Sequence, residues 1–149
     1  MELRGKVVWV VGASSGIGAA TASELEARGA TVAISARREQ ELERVSCGRM
    51  LVVPVDVTNT AAVAAAANRV REVHGRIDVA VLAAGWWQQM DARAWDTEVF
   101  DRHVQVNLVG TSNAIAAVLP EMLERGSGVI AGIASVAGYR GLAGAEAYG

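Results

Sequence analysis

One cysteine in 149 residues excludes an internal disulfide, so the chain depends on burial and hydrogen bonding, as proteins of reducing compartments do. Cys47 has no His and no helix start beside it to activate its thiol, which reads it as an inert surface or core residue. Two prolines are too few for a proline-rich linker, and no internal repeat or low-complexity tract divides the chain. Positive charge is not in excess either. A net charge of -2 provides no basic footprint for nucleic acid and no attraction to an anionic membrane surface. Long apolar runs are also missing, since Gly, Asp or Arg interrupts each well before the roughly 18 to 20 residues of a membrane span. The opening Met-Glu-Leu-Arg-Gly-Lys leads into a strand without the apolar stretch of a signal peptide. These absences predict a cytosolic protein with a small-molecule partner. The two histidines, His74 and His103, have no Cys or acid at ligand spacing, so no metal site is expected.

What is present is a chain about half hydrophobic, at 52%, long enough for one domain with one sizeable core. Apolar, β-branched runs recur at Lys6 to Val11, Thr31 to Ala36, Met50 to Val55, Asp78 to Ala83 and Gly128 to Ala134. Each is short and bounded by Gly, Pro or Asp, which predicts five buried strands. Helical spacing lies between them: Ile17, Ala20, Thr21 and Leu25; then Val63, Ala66, Ala67 and Val70 in an alanine-rich run; then Ile115, Val118, Leu119 and Met122 within a long helix from about Thr97 to Arg125. A short helix is expected near Asp91 to Trp95, and Pro120 should bend the long one. Asn59 or Thr60 can cap the third helix, while Gly29, Gly75 and Gly126 stand where left-handed terminators are needed. Strands alternating with helices predict an α/β fold, a doubly wound parallel sheet of the Rossmann type spanning residues 1–149.

In such a sheet ligands bind beyond the C-terminal ends of the strands. After the first strand comes Gly12-Ala13-Ser14-Ser15-Gly16-Ile17-Gly18, a glycine-rich strand-to-helix turn where backbone N–H groups can approach a dinucleotide's phosphates. The spacing G-x-x-x-G-x-G is a weak signal by itself; its place between strand and helix strengthens it. After the second strand, where an NAD-binding fold carries an acid for the ribose 2'-hydroxyl, the chain has Arg37 and Arg38. A guanidinium pairs with a 2'-phosphate, so NADP is favoured over NAD. The alternative is that both arginines are solvated charges opening a helix, although cations sit poorly at a helix N-terminus. Trp86 and Trp87 follow the fourth strand and either border a substrate pocket or cover apolar surface. Asp78, at the start of that strand, reads as structural.

Gly12-x-x-x-Gly16-Ile17-Gly18, Asp56-Val57-Thr58, Ala83-Ala84-Gly85, Val106-Asn107-Leu108, and Ser135 with Tyr148 thirteen residues later together resemble the short-chain dehydrogenase/reductase family, in order and in register along the chain. The resemblance implies an oxidoreductase that interconverts a carbonyl and an alcohol by hydride transfer with an NAD(P) cofactor. It implies cofactor contacts at Gly12, Ser14, Ser15, Gly16, Ile17, Gly18, Arg37, Arg38, Asp56, Val57, Ala83, Ala84 and Gly85, with Asp56 accepting from the adenine amine. It also implies that Asn107 helps hold a water in a proton relay, that Ser135 orients the substrate carbonyl, and that Tyr148 transfers the proton. Leu82 stands where the family usually has Asn, and Val11 where a Thr often precedes the first Gly; the former is expected to loosen the wall after the fourth strand.

The family carries a Lys four residues after the Tyr. Here the only lysine is Lys6, and the given sequence ends at Gly149. The resemblance therefore implies the N-terminal portion of a family member, without the family's last helix and two strands, and with little turnover expected of this chain alone. The alternative function is a truncated, non-catalytic nucleotide-binding or subunit-interaction module. In either case the fifth strand is expected to form an exposed apolar edge that favours self-association.

Overall fold

The five residues Val7–Val11, all buried, form the first strand, β1. Their alternating side chains divide the interior in two. Val7, Trp9 and Val11 face one hydrophobic layer and Val8 and Val10 the other, which is what a strand covered on both faces requires. The computed structural model describes residues 2–148. Along the chain β1 is followed by α1 (Gly16–Ala27), β2 (Thr31–Ser35), α2 (Glu39–Ser46), β3 (Leu51–Val52), α3 (Thr60–His74), β4 (Val79–Leu82), α4 (Thr97–His103), α5 (Gly110–Arg125) and β5 (Val129–Gly132). The strands form one sheet in the order β3-β2-β1-β4-β5, every neighbouring pair parallel. Helices α3 and α5 contribute Val63, Ala67, Val70, Ala114 and Val118 to the Trp9 side, and α1 and α2 contribute Ala22 and Leu42 to the other. This is the doubly wound α/β sheet expected of the sequence.

The third strand is shorter than the run Met50 to Val55 predicts. Regular pairing covers only Leu51–Val52, in the outermost strand on that side of the sheet, where the nitrogen of Pro54 falls on the side away from β2. Extended backbone nevertheless continues, with Val53 N–H donating to the Ile34 carbonyl and Val55 N–H to that of Ala36.

Stripe α3 buries Val63, Ala66, Ala67 and Val70, the four residues its spacing marks. Helix α1 is rotated from expectation, and α5 departs at one residue. In α1 the buried residues are Gly18 and Ala22, while Ile17 is 63% exposed. The sheet selects the small side of this helix: a Cβ on Gly18 would lie 2.2 Å from the Gly12 carbonyl oxygen, so only glycine permits the approach. In α5, Val118 and Met122 are buried as expected, together with Gly110 and Ala114, Ile115 packs half-buried against the core, and Leu119 alone of the expected stripe is exposed. The start of α5 sits close to the turn after β3, for a Cβ on Gly110 would meet the Val57 side chain at 2.6 Å.

Helices α4 and α5 are joined through a π-helical segment, Val104–Val109. Helix α5 runs through Pro120 without a break, so the departure from α geometry falls at the π segment rather than at the proline. Pro120 lies on the exposed face, where the freed carbonyl reaches water. By length and composition the helical stretch Thr97–Arg125 would suffice to cross a bilayer; here it packs as a layer of the domain. The predicted short helix near Asp91 is a 3-10 turn, Ala92–Ala94. Asn59 caps α3, its side-chain oxygen accepting from Ala62 N–H at 3.0 Å. Gly75 and Gly126 end α3 and α5 at positive φ.

Strand β5 is outermost in the sheet, and among the described residues nothing pairs with its outer side. Val129 is 42% exposed and Ile133, just beyond the strand, 48%. Asp78 is structural, as expected: its carboxylate accepts from the Val7 N–H and pairs with Arg76.

Candidate functional site

At the C-terminal ends of β1, β2 and β4 lies a cleft of about 420 Å³. Its floor is the glycine turn. The N–H groups of Gly12 and Ala13 both donate to the Ser35 carbonyl, at 2.7 and 3.1 Å, which ties the turn to the end of β2. The Ser35 hydroxyl in turn accepts from the buried indole N–H of Trp9 at 2.8 Å. Gly12 has φ +96, and a Cβ there would lie 2.3 Å from the Ala84 backbone nitrogen. The turn is thus pressed against the segment after β4 with no room for a side chain. Helix α1 starts at Gly16 with no acid in its first turn and no side-chain cap. Its leading N–H groups, which have no partner within the helix, are left for an anion.

The two arginines after β2 line the cleft. Arg38 reaches back across its mouth, one guanidinium nitrogen donating to the Ser14 hydroxyl at 3.1 Å and the Ser15 hydroxyl at 3.0 Å. Asp56, after β3, accepts from the Thr58 N–H and hydroxyl at 3.0 and 2.8 Å. Burial works against ionisation of this carboxyl, but the two Thr58 bonds and the charges of Arg37 and Arg102 together hold it below its ordinary value. Asp56 is therefore a fixed acceptor at neutral pH. Val57 lines the cleft and packs into the space that Gly110 leaves open.

Ala83, Ala84 and Gly85 form the wall beyond β4. The Ala83 N–H donates to the Val11 carbonyl at 2.8 Å. Asn107, within the π segment, makes a two-point contact with the next residue: its side-chain oxygen accepts from the Trp86 N–H at 2.8 Å, and its amide donates to the Trp86 carbonyl at 2.9 Å. Leu82, at the position where the expectation was a looser wall, is buried in the core, and the wall is anchored from the side of Asn107. The Arg102 guanidinium stacks over the Trp86 ring at 4.6 Å from its centroid, and the His103 ring packs against it with centroids 4.6 Å apart. Trp87 also lines the cleft and is 56% exposed. Both tryptophans line the cleft, Trp86 packed against Arg102 and His103 and Trp87 more open to solvent.

The expected proton-transfer residues are only partly brought together. Tyr148 lines the cleft with Trp86, Val106 and Ile133. Asn107 stands behind the wall, its side chain engaged by Trp86. The Ser135 hydroxyl accepts from the Ala137 N–H at 3.2 Å and caps the 3-10 turn Val136–Gly138; Ser135, Asn107, Gly16 and Asp56 are not among the lining residues. Gly12, Ser14, Ser15, Ile17, Gly18, Arg37, Arg38, Val57 and Ala83 to Gly85 are. Sequence reasoning missed the Trp9–Ser35 bond, Arg102, and the placement of His103. A tryptophan inside a valine strand was the available signal for the first, since a buried indole N–H needs an acceptor. His103 lies one helical turn before Asn107, a spacing that placed it near the wall. Among the described residues no group of three or more His, Cys, Asp or Glu is arranged to hold a metal ion.

A model of the short chain dehydrogenase family matches residues 6–149. The chain is 40% identical over 147 residues to dehydrogenase/reductase SDR family member 7 of Mus musculus, covering 92% of this chain and 44% of that protein. It is 38% identical over 146 residues to an uncharacterised oxidoreductase of Staphylococcus saprophyticus, covering 93% and 62%. Among solved structures, levodione reductase matches with a TM-score of 0.93 at 31% identity, covering 98% of this chain and 60% of that one. A short-chain dehydrogenase from Streptomyces avermitilis matches with a TM-score of 0.90 at 34% identity, covering 96% and 54%. The chain spans 44% to 62% of the length of these two curated relatives. Sheet order, glycine turn and motif register agree with these matches, and the chain belongs to the short-chain dehydrogenase family.

Proposed function

We propose that this chain forms the cofactor-binding part of an NADP-preferring oxidoreductase that interconverts a carbonyl and an alcohol. The observation that carries the cofactor preference is Arg38, whose guanidinium bridges Ser14 and Ser15 at the mouth of the glycine turn, with Arg37 beside it in the cleft lining. Two cations and two hydroxyls converge there, and a 2'-phosphate meets each of them favourably. A 2'-hydroxyl offers no charge to match. The glycine turn and the free N–H groups at the start of α1 suit a pyrophosphate, and Asp56, kept ionised, suits an amine donor such as that of adenine.

A bound nicotinamide dinucleotide would supply or accept the hydride. The chain's contribution is to bind, orient and move a proton. The Tyr148 phenol gives its proton to the carbonyl oxygen as the carbon receives hydride, and takes it back in the reverse direction. Ser135 orients the carbonyl, and Asn107 holds the wall through Trp86. A second reading, a nucleotide-binding or subunit-interaction module without turnover, is favoured by the engagement of the Ser135 hydroxyl as a turn cap.

Fluorescence titration with NADPH and NADH, followed by turnover assays on a panel of ketones, separates the two. Tighter binding of NADPH with turnover that disappears in Tyr148→Phe supports the oxidoreductase. Binding with no turnover supports the module, and preference for NADH removes the role given to Arg38.

A further inference from the structure

His103 is 2% exposed and ends α4. Its Nδ1 lies 2.8 Å from the Val99 carbonyl oxygen, and its Nε2 lies 3.3 Å from the backbone nitrogen of Gln88. A carbonyl only accepts and a backbone N–H only donates. The two bonds together therefore require a neutral ring with the proton on Nδ1 and the Nε2 lone pair turned to Gln88. One face of the ring meets Trp86, and its edge meets Tyr148 with centroids 6.1 Å apart, within the range of favourable aromatic pairs.

The Gln88 bond extends further. Two residues on, the Met90 N–H donates to the Gly144 carbonyl at 3.0 Å, and Met90 bridges Ala145. The Tyr148 N–H closes on the Ala145 carbonyl at 2.9 Å. One buried imidazole thus touches the loop after β4 and, through that loop and its own edge, the segment that carries Tyr148. An aliphatic side chain would fill the same space yet leave the Gln88 N–H without its acceptor, a loss that falls on the loop alone.

We propose that His103 is a positioning residue, whose ring joins the loop after β4 to the segment 144–148 and sets the direction in which Tyr148 enters the cleft. The proposal rests on the role given to Tyr148 above, but its main readout does not depend on turnover. Amide hydrogen exchange and ring-nitrogen NMR on the whole chain near neutral pH test it. The expected wild-type ring carries its proton on Nδ1. In His103→Leu the amides of Gln88, Met90 and Tyr148 should exchange about tenfold or more faster, while Val10 and Ile34 in the sheet change by less than about twofold, as for a local rather than a global opening. His103→Gln, whose side-chain oxygen can accept from Gln88, should recover part of the protection.

Unchanged exchange in His103→Leu, or a loss spread evenly over the sheet, overturns the proposal. So does a wild-type ring protonated on Nε2, a result that decides the matter even where the leucine variant does not fold. Turnover that survives Tyr148→Phe would sink the catalytic role of Tyr148 and leave the exchange data to judge His103. Turnover that depends on Tyr148, with exchange untouched in His103→Leu, would sink only the positioning.

Discussion

At Gly18 an added Cβ would lie 2.2 Å from the Gly12 carbonyl oxygen, so Gly18→Ala must push α1 away from β1. The Cβ is fixed by the helix backbone and meets backbone atoms, so no rotamer change relieves it. A loss of roughly 2 to 3 kcal/mol is expected, as for overpacking of a tight core, read as a lower urea midpoint, with weaker NADPH binding because the turn moves too. Arg38→Ala acts differently, since its guanidinium touches only the Ser14 and Ser15 hydroxyls at the surface. Stability should change by less than about 0.5 kcal/mol. The Kd for NADPH should rise about tenfold or more, the size of one charge-assisted hydrogen bond, and that for NADH should barely move. Equal weakening of both cofactors by calorimetric titration would remove the 2'-phosphate from the account. These two positions were legible in the sequence, one as glycine in a strand-to-helix turn and the other as arginine where an acid is usual. The Asn107 contact to Trp86 was not legible, because its partner is a backbone twenty-one positions away that only the fold brings alongside.

Between elements, α3 and α5 are locked by Glu121, which pairs with Arg71 and Arg125, while Arg125 also donates to the Ile77 carbonyl at 2.9 Å. Burial disfavours the Glu121 carboxylate, but the two arginine hydrogen bonds and charges outweigh it and hold the group below its ordinary value. A carboxyl lowered in the folded state stabilises above its unfolded pKa of about 4.3 and loses that contribution as pH falls through the folded value. The urea midpoint of the wild type should therefore drop on acidification below about pH 4.3. Glu121→Gln should be less stable at pH 7 by about 1 kcal/mol, in the range of a partly screened ion pair, and should show a shallower decline in that interval. Part of the slope remains, because Asp78 is lowered in the same direction despite its burial, by the Val7 N–H and Arg76. Helix α3 shows what periodicity reveals: its four marked residues are the four buried ones. Helix α1 shows where periodicity misleads. It buries its glycine and alanine side, since the Gly12 backbone leaves no room beside Gly18, whereas α5 buries Val118 and Met122 as marked and leaves only Leu119 outward; hydrophobicity alone does not encode the distance to a neighbour.

For the whole molecule, the outermost β5 carries Val129 exposed, with Ile133 just beyond it, and among the described residues its outer backbone groups have no strand partner. At tens of micromolar the chain is expected to sediment as more than a monomer, and Val129→Lys, at a residue outside the cleft lining, should shift it toward the monomer while leaving NADPH affinity within about twofold. A monomer in the wild type would refute the edge as a contact. The amino-acid sequence by itself determined the alternation of strands and helices, the doubly wound class, the glycine turn and the paired arginines, because apolar periodicity and the steric and charge character of single residues act over a few positions. Tertiary structure alone decided that α1 buries its small side, that Ser35 serves both the turn and Trp9, that Asn107 grips Trp86, and that His103 contacts both Gln88 and Tyr148. Each of those depends on how closely distant segments approach, and that distance is set only when the sheet and its helices pack.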